Sequence, residues 1–210
     1  MRSSTEKTLK EIKMRLVLAL IVSLAIAACS PNTRQVKFYL LQATNKTEQQ
    51  AIGTPPAKPL TIGLGPVEIP AYLDRPQIVT GGEGAELTMA EYHRWAEPLK
   101  DTITRVLAED LALAMPGNHL LTFPWNRAIS PDVQLEIKIT RFQVDANGLC
   151  ELKANWTILK QNKPVAMNAF QTRTTATSND YADKVAAQSQ ALAKFGNEMA
   201  AGLRALTETQ

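Results

Sequence analysis

Two cysteines and two histidines are the side chains of this 210-residue chain best suited to covalent or metal chemistry: Cys29, Cys150, His93 and His119. A nucleophilic cysteine needs a neighbouring base and a lowered pKa, and a metal site needs two or three converging ligands. No spacing in the sequence supplies either. The G-x-S-x-G, H-E-x-x-H, phosphate-loop and G-x-G-x-x-G motifs do not occur. We therefore predict no catalytic residue and no metal site.

Cys29 stands directly after a long apolar segment. Residues 16–28 carry no charge and follow a basic segment that contains Lys10, Lys13 and Arg15. Thirteen residues are too few for a membrane-spanning helix, which needs about 20, and are typical of a signal peptide. Ile26-Ala27-Ala28-Cys29 resembles a bacterial lipobox, in which the cysteine thiol accepts a diacylglyceryl group and the amine freed by cleavage is acylated. Covalent lipid on Cys29 is the only cofactor that we expect.

These features divide the chain into three predicted parts. Residues 1–28 form a lipoprotein signal peptide, residues 29–34 a lipidated tether and residues 35–210 the folded domain. An ordinary signal peptide with a coincidental cysteine is the alternative, and translation starts at either Met1 or Met14. The position after Cys29 is Ser30. An Asp there would resemble the inner-membrane retention signal of many Gram-negative bacteria, so Ser30 favours the periplasmic face of the outer membrane.

Cleavage before Cys29 changes the charge balance of the chain. The whole sequence has 23 Lys and Arg against 20 Asp and Glu, whereas residues 29–210 have 18 of each. A chain without net positive charge lacks the main electrostatic support for binding nucleic acid. With Cys29 lipidated, Cys150 has no internal disulfide partner, and an apolar core has to hold the fold.

A proline-rich segment over residues 65–79 is the candidate partner interface. Its three prolines restrict the backbone to a stiff, extended path. Between them lie an aromatic, an aliphatic and a charged pair, which together suit a preorganised contact surface. We predict an interface formed by Tyr72, Leu73, Asp74, Arg75 and Trp95. A rigid crossover, in which Asp74 and Arg75 satisfy local backbone groups, is the alternative.

Hydrophobic periodicity predicts the elements that position these residues. Strands are expected over residues 35–41, 60–64, 77–80, 86–89, 120–123, 133–139, 150–158 and 165–176, and helices over 98–115 and 180–206. Asn147-Gly148 is a turn signal, so the last three strands should form an antiparallel meander. Cys150 occupies an inward position there and should be a small buried hydrophobe. The predicted fold is α+β: a mostly antiparallel sheet with two main helices packed on it, in a single domain.

Several stretches, in order and behind the lipobox, resemble the PqiC-like branch of the ABC-type transport auxiliary lipoprotein family. They are residues 38–41 (FYLL), 62–79 (IGLGPVEIPAYLDRPQIV) and 95–99 (WAEPL). The resemblance implies a periplasmic domain without enzymatic activity that works with an MCE-domain protein of the PqiB type in lipid trafficking and envelope integrity. Relatives often carry an Arg shortly after the position of Thr80, where this chain has Gly81-Gly82, so no role of that Arg transfers.

Two functions follow as hypotheses. The first is an accessory outer-membrane lipoprotein of an MCE-type (PqiA/PqiB-like) transport system, with a homo-oligomer left open. The second is a periplasmic lipid carrier or chaperone with its own apolar pocket. An envelope hydrolase is a distant third, which would need His93 or His119 beside an acid and a nucleophile in the folded protein.

Overall fold

Alternating apolar and polar residues in the second half of the chain form three long strands, as their period predicts. The computed structural model describes residues 14–15, 34–44, 58–82, 85–126 and 128–208. The predicted signal peptide, apart from residues 14–15, and the predicted tether from Cys29 to residue 33 lie outside these ranges. The described elements are β1 (Lys37–Tyr39), β2 (Thr61–Glu68), β3 (Gln77–Gly81), β4 (Leu87–Trp95), α1 (Leu99–Ala114), β5 (His119–Thr122), β6 (Val133–Val144), β7 (Leu149–Lys160), β8 (Lys163–Thr175) and α2 (Tyr181–Glu208).

Strand β6 is the centre of the eight-stranded sheet. One of its edges pairs antiparallel with β7, which in turn pairs with β8. Its other edge pairs in parallel with β2 near Val133 and with β3 at Val144, so β2 and β3 follow one another along the same strand. Strand β5 extends the sheet beyond β2, and β4 and then β1 extend it beyond β3.

Both helices pack on the sheet and on each other. The apolar face of α2 covers the meander of β6, β7 and β8, where Phe195 stacks on Phe170 with ring centroids 5.0 Å apart. Helix α1 packs against β2 and β5 and buries the periodic residues Leu99, Ile103, Val106, Leu107 and Leu111. The core therefore lies between the helices and one face of the sheet.

Close contact between α2 and the sheet requires a residue without a side chain at Gly202. A Cβ atom built there would lie 2.5 Å from Cη2 of the Trp156 ring, far inside a normal contact. Glycine weakens a helix interior relative to alanine by roughly 1 kcal/mol. Its place in α2 is explained by the bulk of Trp156, which needs the space that a side chain would occupy.

The predicted α+β class is confirmed, with two helices on the sheet in a single domain. The sheet is mixed: the longest ladders, β6–β7 and β7–β8, are antiparallel as expected, whereas β1–β4, β2–β5, β2–β6 and β3–β6 are parallel. The predicted hairpin of β3 and β4 forms, and so does the Asn147-Gly148 turn between β6 and β7. Both helices lie within a few residues of their predicted bounds.

Candidate functional site

The predicted interface segment forms a tight loop between the end of β2 and the start of β3. The backbone N–H of Leu73 donates to the carbonyl of Pro70 at 2.9 Å, and that of Arg75 donates to the carbonyl of Leu73 at 2.9 Å. The Leu73 side chain is 2% exposed and belongs to the main core. The loop is therefore held from inside by an apolar anchor as well as by the conformational limits of its prolines.

Burial divides the five predicted interface residues into two groups. Trp95, like Leu73, is a core residue, only 5% exposed, and its backbone N–H donates to the carbonyl of Pro76 at 2.8 Å. Tyr72 and Arg75 are half-buried, and Asp74 is exposed. The prediction that Leu73 and Trp95 contribute contact side chains is thereby corrected: both support the loop, and the other three reach the surface.

Tyr72 fastens the loop to the central strand. Its hydroxyl donates to Oε1 of Gln143 on β6 at 2.9 Å. Burial raises the pKa of Tyr72, although the nearby charge of Arg141 acts in the opposite direction. The phenol is consequently protonated at neutral pH and remains a hydrogen-bond donor.

Two arginines near this loop have unused hydrogen-bond donors. Nη1 of Arg75 donates to Sδ of Met89 at 2.7 Å, and the Met89 side chain is 50% exposed. The Nε atoms of Arg75 and Arg94 are buried without a hydrogen-bond partner. Within the described ranges, neither guanidinium forms an ion pair. Since guanidinium groups bind carboxylate and phosphate oxygens strongly, this part of the surface is suited to an anionic partner group.

His93 belongs to an aromatic cluster that joins β1, β4 and α2. Its Nδ1 is hydrogen-bonded to the Tyr39 hydroxyl at 2.8 Å, and its ring stacks on Tyr181 with centroids 3.9 Å apart. Lys184 lies over the Tyr181 ring at 5.0 Å. Burial, together with the charges of Lys37 and Lys184, lowers the pKa of His93, while Asp180 opposes the shift. The predicted packing role of His93 is therefore correct, but its partners are Tyr39 and Tyr181 rather than Trp95.

Cys150 is fully buried on β7, as its inward position predicts. Burial raises the pKa of its thiol to about 12. The thiolate fraction at neutral pH is then negligible, and the side chain acts as a small hydrophobe. In the described part of the chain, no three His, Cys, Asp or Glu side chains converge as a metal site would require.

A cluster of charged side chains on the meander of β6, β7 and β8 was not predicted from the sequence. Glu151 forms ion pairs with Arg141 at 3.0 Å, Arg173 at 3.0 Å and Lys153 at 3.6 Å. Burial opposes ionisation of Glu151, but the hydrogen bond from Arg173 and the positive charges of Lys153 and Arg141 outweigh it and lower its pKa. The sequence does show polar residues alternating along these strands. That alternation does not show which of them lie opposite one another on neighbouring strands.

Two surface grooves among the described residues are large enough to consider as binding sites. One, of about 500 Å³, lies between α1 and the ends of β2 and β5, beside the exposed ring of Phe123. The other, of about 460 Å³, has a mixed lining of apolar, polar and charged side chains, including Asp132. Its apolar lining includes Leu60, Val133, Val165, Leu203 and Leu206, and its lysines are Lys58 and Lys160.

Comparison with known proteins places this architecture in a family. Residues 39–200 match the ABC-type transport auxiliary lipoprotein component family. The chain belongs to this family. The matched range contains almost every strand described above, the loop of Tyr72 and most of α2. No curated protein matches the sequence.

Solved structures share the fold of this family member at low sequence identity. An uncharacterized protein aligns with a TM-score of 0.67 and 18% identity, over 81% of this chain and 99% of the other. Protein XCC0632 from Xanthomonas campestris aligns with a TM-score of 0.59 and 19% identity, over 79% and 90% of the two chains. Among the described residues, no helix has the length and apolar character needed to cross a membrane.

The packing of His93 predicts a contribution to protein stability that depends on pH. Its pKa is lower in the folded protein than in the unfolded chain, so its contribution to stability is complete above about pH 6.5 and is lost as the pH falls through the folded-state value. His93→Phe keeps a stacking ring and removes the titration. We expect thermal unfolding to shift less between about pH 7.5 and 5.5 in His93→Phe than in the wild type. His119→Phe, at an exposed imidazole, is the control, and identical pH profiles for all three proteins would refute this role of His93.

Proposed function

We propose that this protein is a non-enzymatic accessory lipoprotein of an MCE-type intermembrane lipid transport system. In this proposal, lipid on Cys29 holds the domain at the periplasmic face of the outer membrane, where it docks an MCE-domain protein of the PqiB type that reaches from the inner membrane. The family match over residues 39–200 carries the proposal, since it covers the folded domain and begins ten residues after the lipobox cysteine.

The chemistry of Cys29 supports durable anchoring. A single acyl chain gives marginal and reversible membrane binding, and stable attachment takes a second signal. A diacylglyceryl group on the thiol provides two chains, and acylation of the freed amine provides a third. Cys150 cannot substitute for Cys29, because its thiol is buried and its pKa is raised to about 12.

Cys29→Ala should release the protein from the membrane fraction, because the lipobox then has no thiol to accept lipid. Ser30→Asp should leave it membrane-bound but move it from the outer-membrane to the inner-membrane fraction of a sucrose gradient. Immunoblots of separated envelopes measure both outcomes, and the wild type is the control. Persistence of Cys29→Ala in the outer membrane at the wild-type level would show that the anchor is assigned wrongly.

The loop of Tyr72, Asp74 and Arg75 is the proposed docking surface for the MCE-domain protein. Leu73 and Tyr72 hold the loop in place before any partner binds, so little ordering is needed on association. Asp74 and Arg75 give it both charge signs, and Arg75 forms no ion pair with the described residues. Charged groups at such a surface chiefly determine partner selection and the rate of association.

Asp74→Arg should reduce recovery of the MCE-domain protein several-fold in a crosslinking pulldown from native envelopes. The Asp74 side chain is exposed, so we expect thermal stability to change by less than about 0.5 kcal/mol. Glu198→Arg makes the same charge reversal at an exposed position of α2 and should leave recovery unchanged. Equal recovery with both variants would contradict docking through this loop, whereas absence of any MCE-domain protein from the wild-type sample would contradict the proposed partner.

A lipid-carrier function is a second candidate, favoured by the groove near Leu203 and Leu206. Its volume of about 460 Å³ is within the range of small-molecule sites, and Lys58 and Lys160, which line it together with Asp132, give it a net positive lining for an anionic headgroup. If the protein carries lipid, a Cys29→Ser variant purified from the periplasm should contain phospholipid in near-stoichiometric amounts by mass spectrometry, and Val165→Asp in that background should lose it. Lipid-free protein from the parent variant would exclude this function.

A further inference from the structure

Exposed apolar side chains concentrate around β1. Phe38 is 64% exposed, Val36 is 39% exposed and Leu40 is 41% exposed. These residues alternate along one extended segment and therefore share one side of it. Tyr39, between them, faces the opposite side, where it contacts His93 and Tyr181. The helix-covered face is thus packed, while the other face of β1 presents three apolar side chains to solvent.

Strand β4 continues this apolar surface. Phe38 is level with Arg94 in the parallel β1–β4 register. His93 stacks on Tyr181 of α2, so its neighbours Tyr92 and Arg94 lie on the other side of the strand. Tyr92 is 37% exposed. We call the surface formed by Val36, Phe38, Leu40, Tyr92 and Arg94 the β1 patch.

The composition of the β1 patch is that of a membrane interface. Aromatic rings with apolar bodies, aliphatic side chains and an arginine are favoured where hydrocarbon meets phosphate groups. The guanidinium of Arg94 forms no ion pair with the residues the structure describes. Phosphate oxygens are acceptors that match this guanidinium.

The chain length between the lipid site and the patch limits where the patch can lie. Phe38 follows Cys29 by nine residues, which span at most about 32 Å when fully extended. A domain of this size has a radius of gyration of about 16 Å. The tether therefore limits β1 to within about 32 Å of the lipid site, roughly twice that radius of gyration, so β1 is able to reach the bilayer.

We propose that the β1 patch rests on the phospholipid surface of the membrane that carries the Cys29 lipid, with Phe38 in the interface and Arg94 facing headgroup phosphates. This inference rests on the proposed lipid anchor and adds the orientation of the domain. The same membrane contact places the Tyr72 loop beside the bilayer, since Arg94 pairs with Gln77 of β3, directly after that loop.

A fluorescent probe at position 38 tests the contact. Phe38→Cys in the full-length lipoprotein is labelled with an environment-sensitive dye and reconstituted into phosphatidylethanolamine–phosphatidylglycerol vesicles. Cys29 is blocked by its lipid, and the buried Cys150, with a thiol pKa of about 12, does not react in the folded protein. Met167→Cys is the matched control, because Met167 is 76% exposed on β8, five strand positions from β1 or roughly 24 Å.

We expect the probe at position 38 to shift its emission to the blue, to be quenched by spin-labelled lipid and to lose several-fold in quenching by aqueous iodide. The probe at position 167 should remain fully accessible to iodide. Equal iodide accessibility at the two positions would overturn the proposal. Protection at position 38 without quenching by spin-labelled lipid would also overturn it, because it would indicate that a second copy of the chain covers the patch.

A second experiment tests membrane contact of the β1 patch independently of the proposed lipid on Cys29. If the full-length protein does not float with vesicles, lipidation has failed, and the proposed function fails with it. The mature chain with Cys29→Ser and a short N-terminal histidine tag in place of residues 1–28, bound to nickel-chelating lipid, then presents the patch on a tether that is longer only by the tag. Bilayer contact of the position 38 probe in that variant supports the patch independently, and aqueous exposure there rejects it.

Discussion

The pairing of β6 is the constraint on which the rest of the structure depends. One edge of this strand has to serve two partners in succession, β2 and β3, while its other edge supports the meander. The connection between β2 and β3 consequently has to leave the sheet and return to it within residues 69–76. That requirement explains the stiff, proline-containing loop, the buried Leu73 inside it and the hydrogen bond from Tyr72 to Gln143 of β6.

Short-range sequence patterns were sufficient to predict the parts of the fold in which neighbouring segments of the chain contact each other. The β6–β7–β8 meander, the turn at Gly148 and both helices follow from alternation, turn residues and helical periodicity, which a single sequence displays. The parallel pairs could not be predicted in the same way. Lys37 pairs with His93 and Ile62 with Val133, and no residue type near one strand identifies a partner so distant in sequence. The mixed character of the sheet is a property of those distant pairs.

The same limit, that one sequence does not show contacts between distant residues, applies to the candidate site. Prolines beside an aromatic and a charged pair form a local pattern that predicts a stiff segment, and the structure has a tight loop there. The pattern could not divide the side chains into buried and exposed ones. Leu73 and Trp95 looked as accessible as Tyr72, and only the return of the loop over the sheet buries them. The proximity of Phe38 and Arg94 could not be predicted, because it depends on the pairing of β1 with β4, and the two residues are 56 positions apart in sequence.

Strand β1 therefore has more influence on the protein than its three residues suggest. Its ladder with β4 is short, and a ladder of that length contributes little stability by itself. Packing of Tyr39 with His93 and Tyr181, and the hydrogen bond from the Ala96 N–H to the Tyr39 carbonyl, hold it on the domain. Since β1 follows Cys29 closely in sequence, these contacts would transmit the position of the proposed lipid anchor to the folded domain. Without them, the proposed tether would extend towards the next strand at Thr61, and the domain would be free to turn on that anchor. In the proposed arrangement, the aromatic cluster around His93 thus connects a fixed orientation of the domain at the membrane with a fixed position of the Tyr72 loop beside the bilayer.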